Sequence, residues 1–452
     1  MSLGAGTWEA QNKALPGTYI NFTSLAKASA ALSERGVAAA PFALSWGAEN
    51  TVVKVTAEEF FKNSLTLFGY EYTHANLVCL RELFKHATVC YCYRLGAGSS
   101  AQVSEQSAKA ACTYADAKYP GVRGNDLKIV IQANVDDSEK FDVATYLGAK
   151  CVDTQTVSAT TGLVDNDFVS FKTTSTLAAT AGTVLTGGKD ATLSGDSYQK
   201  FLNAVEMYSF NALCCPVLSD STTLSLFTAF TKRMRDERGI KFQTVMSGYS
   251  GTSPDYEGII RIGYPDAVGF LSVDGLLDER TYWMTGAQAG VAVNDTLTNF
   301  AYDGEIDASP ITLESELEEA IFTGKVVFHK VGDEIRVLRD INSLTTVTAE
   351  KGEDFKSNQT IRVCDQIATD LAALFGNQYS GKVPNDESGR ESLWNDAVKL
   401  LKSLAEKRAI QNFEPDIVSV SAGDTKKAVV LNIAGLNIVN AMEQLYMSVV
   451  IS

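Results

Sequence analysis

Hydrophobic and polar positions change rhythm several times along the chain. Thr18-Tyr19-Ile20-Asn21-Phe22 is a short β-prone run after the Pro16-Gly17 turn signal, with no hairpin partner nearby. Ser24 to Arg35 predicts a helix, Phe42 to Trp46 a strand, and a stretch rich in Leu, Phe and Glu from Ala57 a second helix. Val89 to Leu95 alternates Cys and Tyr like a half-buried strand. From about Gly96 to Thr186 the texture becomes rich in Thr, Ser, Gly, Val and Asp. Alternating runs such as Leu127 to Ile131 and Asp167 to Lys172, parted by turn residues, predict an inserted antiparallel β module.

Helix and strand alternate again after Lys189. Tyr198 to Tyr208 reads as a helix, Ala212 to Val217 as a strand, Thr223 to Arg238 as a helix ended by Gly239, and Lys241 to Met246 as a strand, the rhythm of βαβ units around a mostly parallel sheet. The last part starts with strands Val326 to Phe328 and Ile335 to Leu338 around a Gly332-Asp333 turn. Two helices follow, one aligning Val363, Ile367, Leu371 and Leu374, the next aligning Leu393, Ala397, Leu400, Leu401 and Leu404. A strand Ala428 to Ile433, a short helix and a strand Leu445 to Ile451 complete the pattern. An apolar strand with no polar residues behind it needs a partner edge.

At 452 residues with 45% hydrophobic and 21% charged residues, the chain has material for several cores. A net charge of −15 repels phosphate backbones and anionic lipid, so neither nucleic acid nor membrane is an expected partner. Met1 to Lys13 lacks the basic start and apolar core of a secretory signal, and the eight cysteines are expected as free thiols in a reducing cytoplasm. Zinc ligation would need four ligands at set spacings, and the histidines are only His74, His86 and His329. The acidic residues between Arg280 and Lys325, among them Asp295, Asp303, Glu305, Asp307, Glu314 and Glu316, read as a solvated outer face.

Chemical motifs fail on inspection. Gly96 to Ala101 follows a strand like a dinucleotide loop, but Tyr119-Pro120-Gly121 interrupts before any ribose-binding acid arrives at the right distance. Gly182 to Asp190 misses a phosphate loop by one residue and sets Asp190 where a magnesium-binding hydroxyl belongs. Gly248 to Thr252 lacks the second glycine of a nucleophile elbow. The expectation is no catalytic residue, no cofactor and no metal site, hence no enzyme.

Six segments, in order, resemble the sheath proteins of contractile tails of myophages, phage-like bacteriocins and defective prophages of Gram-positive bacteria. They are Pro16 to Phe22, Tyr119 to Leu127, Leu185 to Asp190, Trp283 to Gly290, Val337 to Thr346 and Ala441 to Val450. The resemblance implies hexameric rings stacked helically around a tail tube, with baseplate and tail terminator proteins as further partners, located in the virion tail. Contraction would drive the tube through a target envelope.

The expected fold is multi-domain α/β: an α/β domain with a parallel sheet, an inserted antiparallel β-sandwich, and an α+β C-terminal domain with extended terminal arms. Boundaries fall at 1–24 for the N-terminal arm, 25–95 and 187–324 for the α/β domain, 96–186 for the insert, 325–438 for a tube-facing domain and 439–452 for the C-terminal arm. Thr18, Tyr19, Ile20 and Phe22, with Leu445, Met447, Val449 and Ile451, are the candidate intersubunit contacts. Lys399, Lys402, Lys407 and Arg408, concentrated on an acidic chain, are the candidate tube contacts. A cytosolic α/β enzyme with an unrecognised site, and a different tail component, are the competing readings.

Overall fold

The computed structural model describes residues 32–99, 101–248, 253–264 and 278–451. The run Thr18 to Phe22 lies outside them. Two compact units emerge from the described residues, one made of 32–33, 370–406 and 412–436, the other of those within 34–369, 407–411 and 437–451.

The larger unit is built on a seven-stranded sheet. Across it lie Lys325–Val326, Ile259–Ile262, Gln243–Ser247, Ala212–Cys215, Val37–Phe42, Val89–Arg94 and Val52–Thr56. Neighbours run parallel except the last pair, which is antiparallel. The centre is small: Ala38, Ala39 and Ala40 are fully buried, and helices cover both faces. Ala39, Leu213 and Cys215 face the core made with helices Gly195–Val205 and Ser221–Lys232, while Ala38, Ala40 and Cys214 face the opposite core with Val78–Phe84 and Arg280–Gly290. Alternation across the pleat assigns successive residues to opposite cores.

Here the structure corrects the sequence. The first strand is Val37–Phe42, so Phe42 ends it where Phe42 to Trp46 had been expected to be the strand; of the helix expected over Ser24 to Arg35, residues 24–31 lie outside the described residues and 32–35 are not helical. An alanine run favours a helix locally, but its small methyl side chains suit the middle of a sheet closely covered on both sides. The helix Ala57–Phe68 appears as expected, opened by a capping box between Thr56 and Glu59 and closed by Gly69 at φ 78.

The insert is antiparallel throughout. A four-stranded sheet orders Lys150–Val157, Phe141–Leu147, Leu127–Ala133 and Thr180–Val184, and a smaller pair joins Ala115–Ala117 to Val169–Phe171. Leu127, Ile129, Ile131, Val143, Phe168 and Leu185 fill the space between them. Trp46, from the loop after the first sheet strand, packs into that core against Tyr119 and Phe168.

Farther along, Val326 belongs to the seven-stranded sheet, and the hairpin around Gly332 is Phe328–Val331 with Glu334–Val337. The smaller unit carries the helix Glu387–Glu406 and an antiparallel pair, Val418–Ala422 with Val429–Ile433. Leu393, Ala397, Leu400, Leu401 and Leu404 are buried, as the stripe predicted. The expected short helix is absent: Asn437–Ile438 is instead a two-residue strand against Ile410–Gln411. Residues 439–451 form no strand, where Leu445 to Ile451 had been expected as one.

Candidate functional site

The loops at Gly96 and Asp190 that superficially resembled ligand motifs make internal bonds, whereas residues 249–252 of the Gly248 to Thr252 motif lie outside the described residues. Asp196 takes the backbone N–H of Ser99, and Lys200 Nζ donates to the Ala97 carbonyl at 2.9 Å, so a carboxylate already occupies the donor side of the Gly96 loop. Asp190 accepts from Ser45 Oγ at 2.6 Å and from the Val122 N–H at 3.1 Å. Among the described residues no group of three or more His, Cys, Asp or Glu side chains is placed to hold a metal ion, and no helix is long and apolar enough to cross a membrane. All eight cysteines are free. Burial pushes the Cys214 thiol up to about 12 and the Cys90 and Cys215 thiols well above their usual value, so these sulfurs pack as small apolar groups.

The remaining motifs join parts of the larger unit. Arg94 Nε donates to the Leu44 carbonyl at 2.6 Å, and its Nη1 to those of Gly47 and Pro120 at 2.8 and 2.7 Å, tying the sheet to the start of the insert. Gly121 has φ 132 and lies so close to Ser45 that a Cβ would stand 2.1 Å from its carbonyl oxygen. On the return, Asn125 and Gly188 exchange two hydrogen bonds, Nδ2 to O at 2.9 Å and N to Oδ1 at 2.8 Å. Thus Tyr119 to Leu127 and Leu185 to Asp190 are the two seams of the insert.

Trp283 to Gly290 lies in a helix pressed onto its neighbour. A Cβ on Gly286 would sit 2.2 Å from the Leu83 carbonyl oxygen, and one on Gly290 2.1 Å from that of His86. In the same region the Asp340 and Arg362 side chains, each 1% exposed, meet at 3.0 Å. Asp340 also accepts from Gln288 Nε2 at 2.6 Å, Asn358 Nδ2 at 2.8 Å and the Leu297 N–H at 3.1 Å, and Arg362 donates to Gln288 Oε1 at 2.9 Å and the Asp295 carbonyl at 2.6 Å. Burial works to raise the Asp340 pKa, yet Arg362 and these donors hold it below the usual carboxylate value. A second buried pair, Arg235 with Asp365, is bidentate at 2.6 and 2.8 Å. Burial disfavours its guanidinium charge, and the Asp365 carboxylate more than restores it.

Several acidic residues read as a solvated face do structural work. Asp303 accepts from Trp283 Nε1 at 2.8 Å and meets His86 Nε2 at 3.0 Å, while Glu305 takes Arg81 through two nitrogens.

The C-terminal segment is different in kind. Leu445 is 88% exposed, Met447 77%, Val449 70% and Ile451 90%, so the four candidate arm residues present apolar surface to solvent. Just before them the chain is held. Val439 N–H donates to the Ala409 carbonyl at 3.0 Å, Thr360 Oγ1 to Asn440 Oδ1 at 3.1 Å, and Ala441 N–H to Gln359 Oε1 at 3.0 Å. Glu443 accepts from Arg339 Nε at 2.6 Å and Thr298 Oγ1 at 2.9 Å. These holding residues carry no periodicity; only Arg339, Ala441 and Glu443, inside segments singled out above, were within reach of sequence reading.

Lys399 and Lys402 are exposed on the helix Glu387–Glu406, with Lys399 Nζ 3.3 Å from Asp396. Lys407 and Arg408 are also exposed but follow the helix end, in the other unit, with Arg408 at φ 62. Arg390 bonds the Asn385 carbonyl at 3.1 Å.

Family models match four consecutive stretches: tail sheath protein Gp18 domain III N-terminal region at 35–95, phage tail sheath protein beta-sandwich domain at 103–190, the sheath central domain at 191–343 and the sheath C-terminal domain at 350–452. The chain is 32% identical over 471 aligned residues, 97% of each chain, to the phage-like element PBSX protein XkdK of Bacillus subtilis. It is 25% identical over 189 residues, covering 41% of this chain and 51% of that one, to the tail sheath protein of Clostridium phage phiCD119. The crystal structure of a sheath tail protein from Desulfitobacterium hafniense matches with TM-score 0.79 and 34% identity, over 95% of this chain and 99% of that one. One from Listeria innocua matches with TM-score 0.75 and 33% identity, over 92% and 94%. The anti-feeding prophage sheath, at 13% identity and TM-score 0.53, shares the fold, over 97% and 99%. Near full-length likeness to sheath proteins shows that the chain belongs to the phage tail sheath protein family, a structural and not an enzymatic family, and is a subunit of a contractile tail sheath.

Proposed function

We propose that this subunit polymerises as stacked hexameric rings around a tail tube, and that its terminal arms link each copy to its neighbours through added β-strands. The observation that carries the reading is the apolar, solvent-exposed run Leu445 to Ile451, which follows residues tied firmly to the body. An extended segment completes its backbone hydrogen bonds by joining a sheet edge, and its alternating side chains then set the register. Burying Leu445, Met447, Val449 and Ile451 on a neighbour contributes on the order of 1.5–3 kcal/mol per large apolar side chain before entropy is subtracted. The sheath of the same fold from the anti-feeding prophage is a helical sheath in a contracted state, which supports helical stacking here. Thr18, Tyr19, Ile20 and Phe22 form the matching N-terminal arm. Lys399, Lys402, Lys407 and Arg408 face the tube, through exposed contacts weak enough to release on contraction. Baseplate and terminator proteins cap the stack, in the virion tail.

Deleting residues 445–452 tests the reading. The expected product is a folded, soluble subunit that forms no sheath in negative-stain images. Normal sheaths from the truncated chain would refute it.

A further inference from the structure

The arm begins abruptly. Leu445 is 88% exposed, yet two residues earlier Glu443 is gripped by Arg339 and Thr298. No apolar packing explains the grip, because Asn440, Ala441, Glu443 and Gln444 run along the rim of an open cleft of about 580 Å³, beside Phe322, itself 78% exposed. The root is therefore held by polar contacts, and these come from separate places: the Ala409 carbonyl, the Gln359 and Thr360 side chains, Thr298 and Arg339.

Each of these bonds is partly solvated, and such contacts add little stability individually. Their convergence does something else. Thr298 Oγ1 donates to Glu443 Oε1 and also accepts the Asp340 N–H at 3.0 Å, and Asp340 is locked to Arg362 in the core. A short chain of bonds thus runs from the best-buried ion pair of the unit to the last fixed residue of the arm.

We propose that residues 437–443 are a pinned root that fixes the direction in which the arm leaves the subunit, with Arg339 and Thr298 as positioning residues that act through Glu443. The occupant of the arm's far end is a second copy of this chain, so the inference rests on the arm-exchange reading above. A segment launched in one direction loses less orientational freedom on pairing than one that swings from a loose tether, and pre-organisation of this kind raises affinity without adding a contact. The pin also lets tension on the arm reach the core through Asp340 and not only through the backbone.

The test uses the full-length chain, with thermal unfolding of the unassembled subunit and the protein concentration at which sheath sediments as its two readouts. Glu443→Ala is expected to melt with the parent protein while requiring about threefold to tenfold more protein to assemble, since a tenfold change corresponds to about 1.4 kcal/mol; Thr298→Val is expected to assemble as poorly and also to melt lower, because it leaves the Asp340 N–H without its acceptor. The double exchange Arg339→Glu with Glu443→Arg is expected to restore assembly toward the parent concentration, whereas each single exchange impairs it. Assembly of Glu443→Ala at the parent concentration would overturn the pinned root. So would a markedly lower melting temperature, which would make Glu443 a structural residue, or an exchange that restores nothing. Deleting residues 445–452 separates the two ideas: if the deletion leaves assembly intact, arm exchange itself is wrong, and if it abolishes assembly while Glu443→Ala changes nothing, only the root is wrong.

Discussion

The segment Val337 to Thr346 and the segment Ala441 to Val450 both belong to the pattern shared with sheath proteins, and they invert the usual relation between polarity and burial. In the first, a charged pair is sealed in the core: Asp340 and Arg362 are each 1% exposed, and Asp340 also accepts from Gln288 and Asn358. In the second, Leu445, Met447 and Val449 stand in solvent. A buried ion pair is weak evidence for stability, since desolvation can cancel its attraction, but it punishes any arrangement that leaves one partner alone. An exposed apolar run contributes nothing to the isolated subunit and marks a surface intended for something else. One region is closed within the subunit; the other, under the arm-exchange proposal, serves a second molecule.

The comparison breaks first at Asp340. Replacing it with Ala strands the Arg362 guanidinium in the core, and the expected loss is about 3–5 kcal/mol of unfolding free energy in denaturant titration. The same pair sets a pH signature. The folded-state pKa of Asp340 is depressed, so its contribution is fully present above the unfolded carboxylate value of about 3.9 and is lost as pH falls through the folded value. The stability gap between the parent and Asp340→Ala should therefore be flat from neutral pH down to about 4 and close below it. A gap that widens in acid would mean that Asp340 is not held as the charged form.

A smaller effect is expected where two helices touch. Gly286→Ala and Gly290→Ala each push a methyl against a backbone carbonyl, which cannot move aside as a flexible side chain would. Overpacking of this kind costs about 1–3 kcal/mol, visible as a lower melting temperature of the unassembled subunit. If Gly290→Ala melts with the parent protein, the close approach of that helix to residue 86 is not what the glycine secures.

The smallest effect on folding, and the largest on assembly, belongs to the arm. Met447→Asp and Val449→Asp should change unfolding free energy by no more than about 0.5 kcal/mol, as surface substitutions do. The same variants should yield no ordered sheath when examined by electron microscopy. Stability that drops along with assembly would show that the arm folds back on its own subunit, and the contrast between the two regions would vanish.

Reading the sequence alone reached the α/β rhythm, the inserted β module and the leucine stripe of the Glu387–Glu406 helix, because each rests on a local period that survives in the folded chain. It also isolated Leu445 to Ile451 as apolar and unpartnered, since hydrophobicity without a neighbour is visible in one dimension. It misplaced the first sheet strand, where the alanines of Val37–Phe42 favour a helix by intrinsic propensity and only the layers packed on both faces make a strand. The link from Arg362 through Asp340 and Thr298 to Glu443 spans residues as many as 145 positions apart, and no period or spacing announces it. The sequence determined which stretches are apolar and which are polar, because that follows from the side chains themselves. Tertiary structure alone decided which polar groups meet, because a hydrogen bond depends on positions that distant parts of the chain reach only after folding.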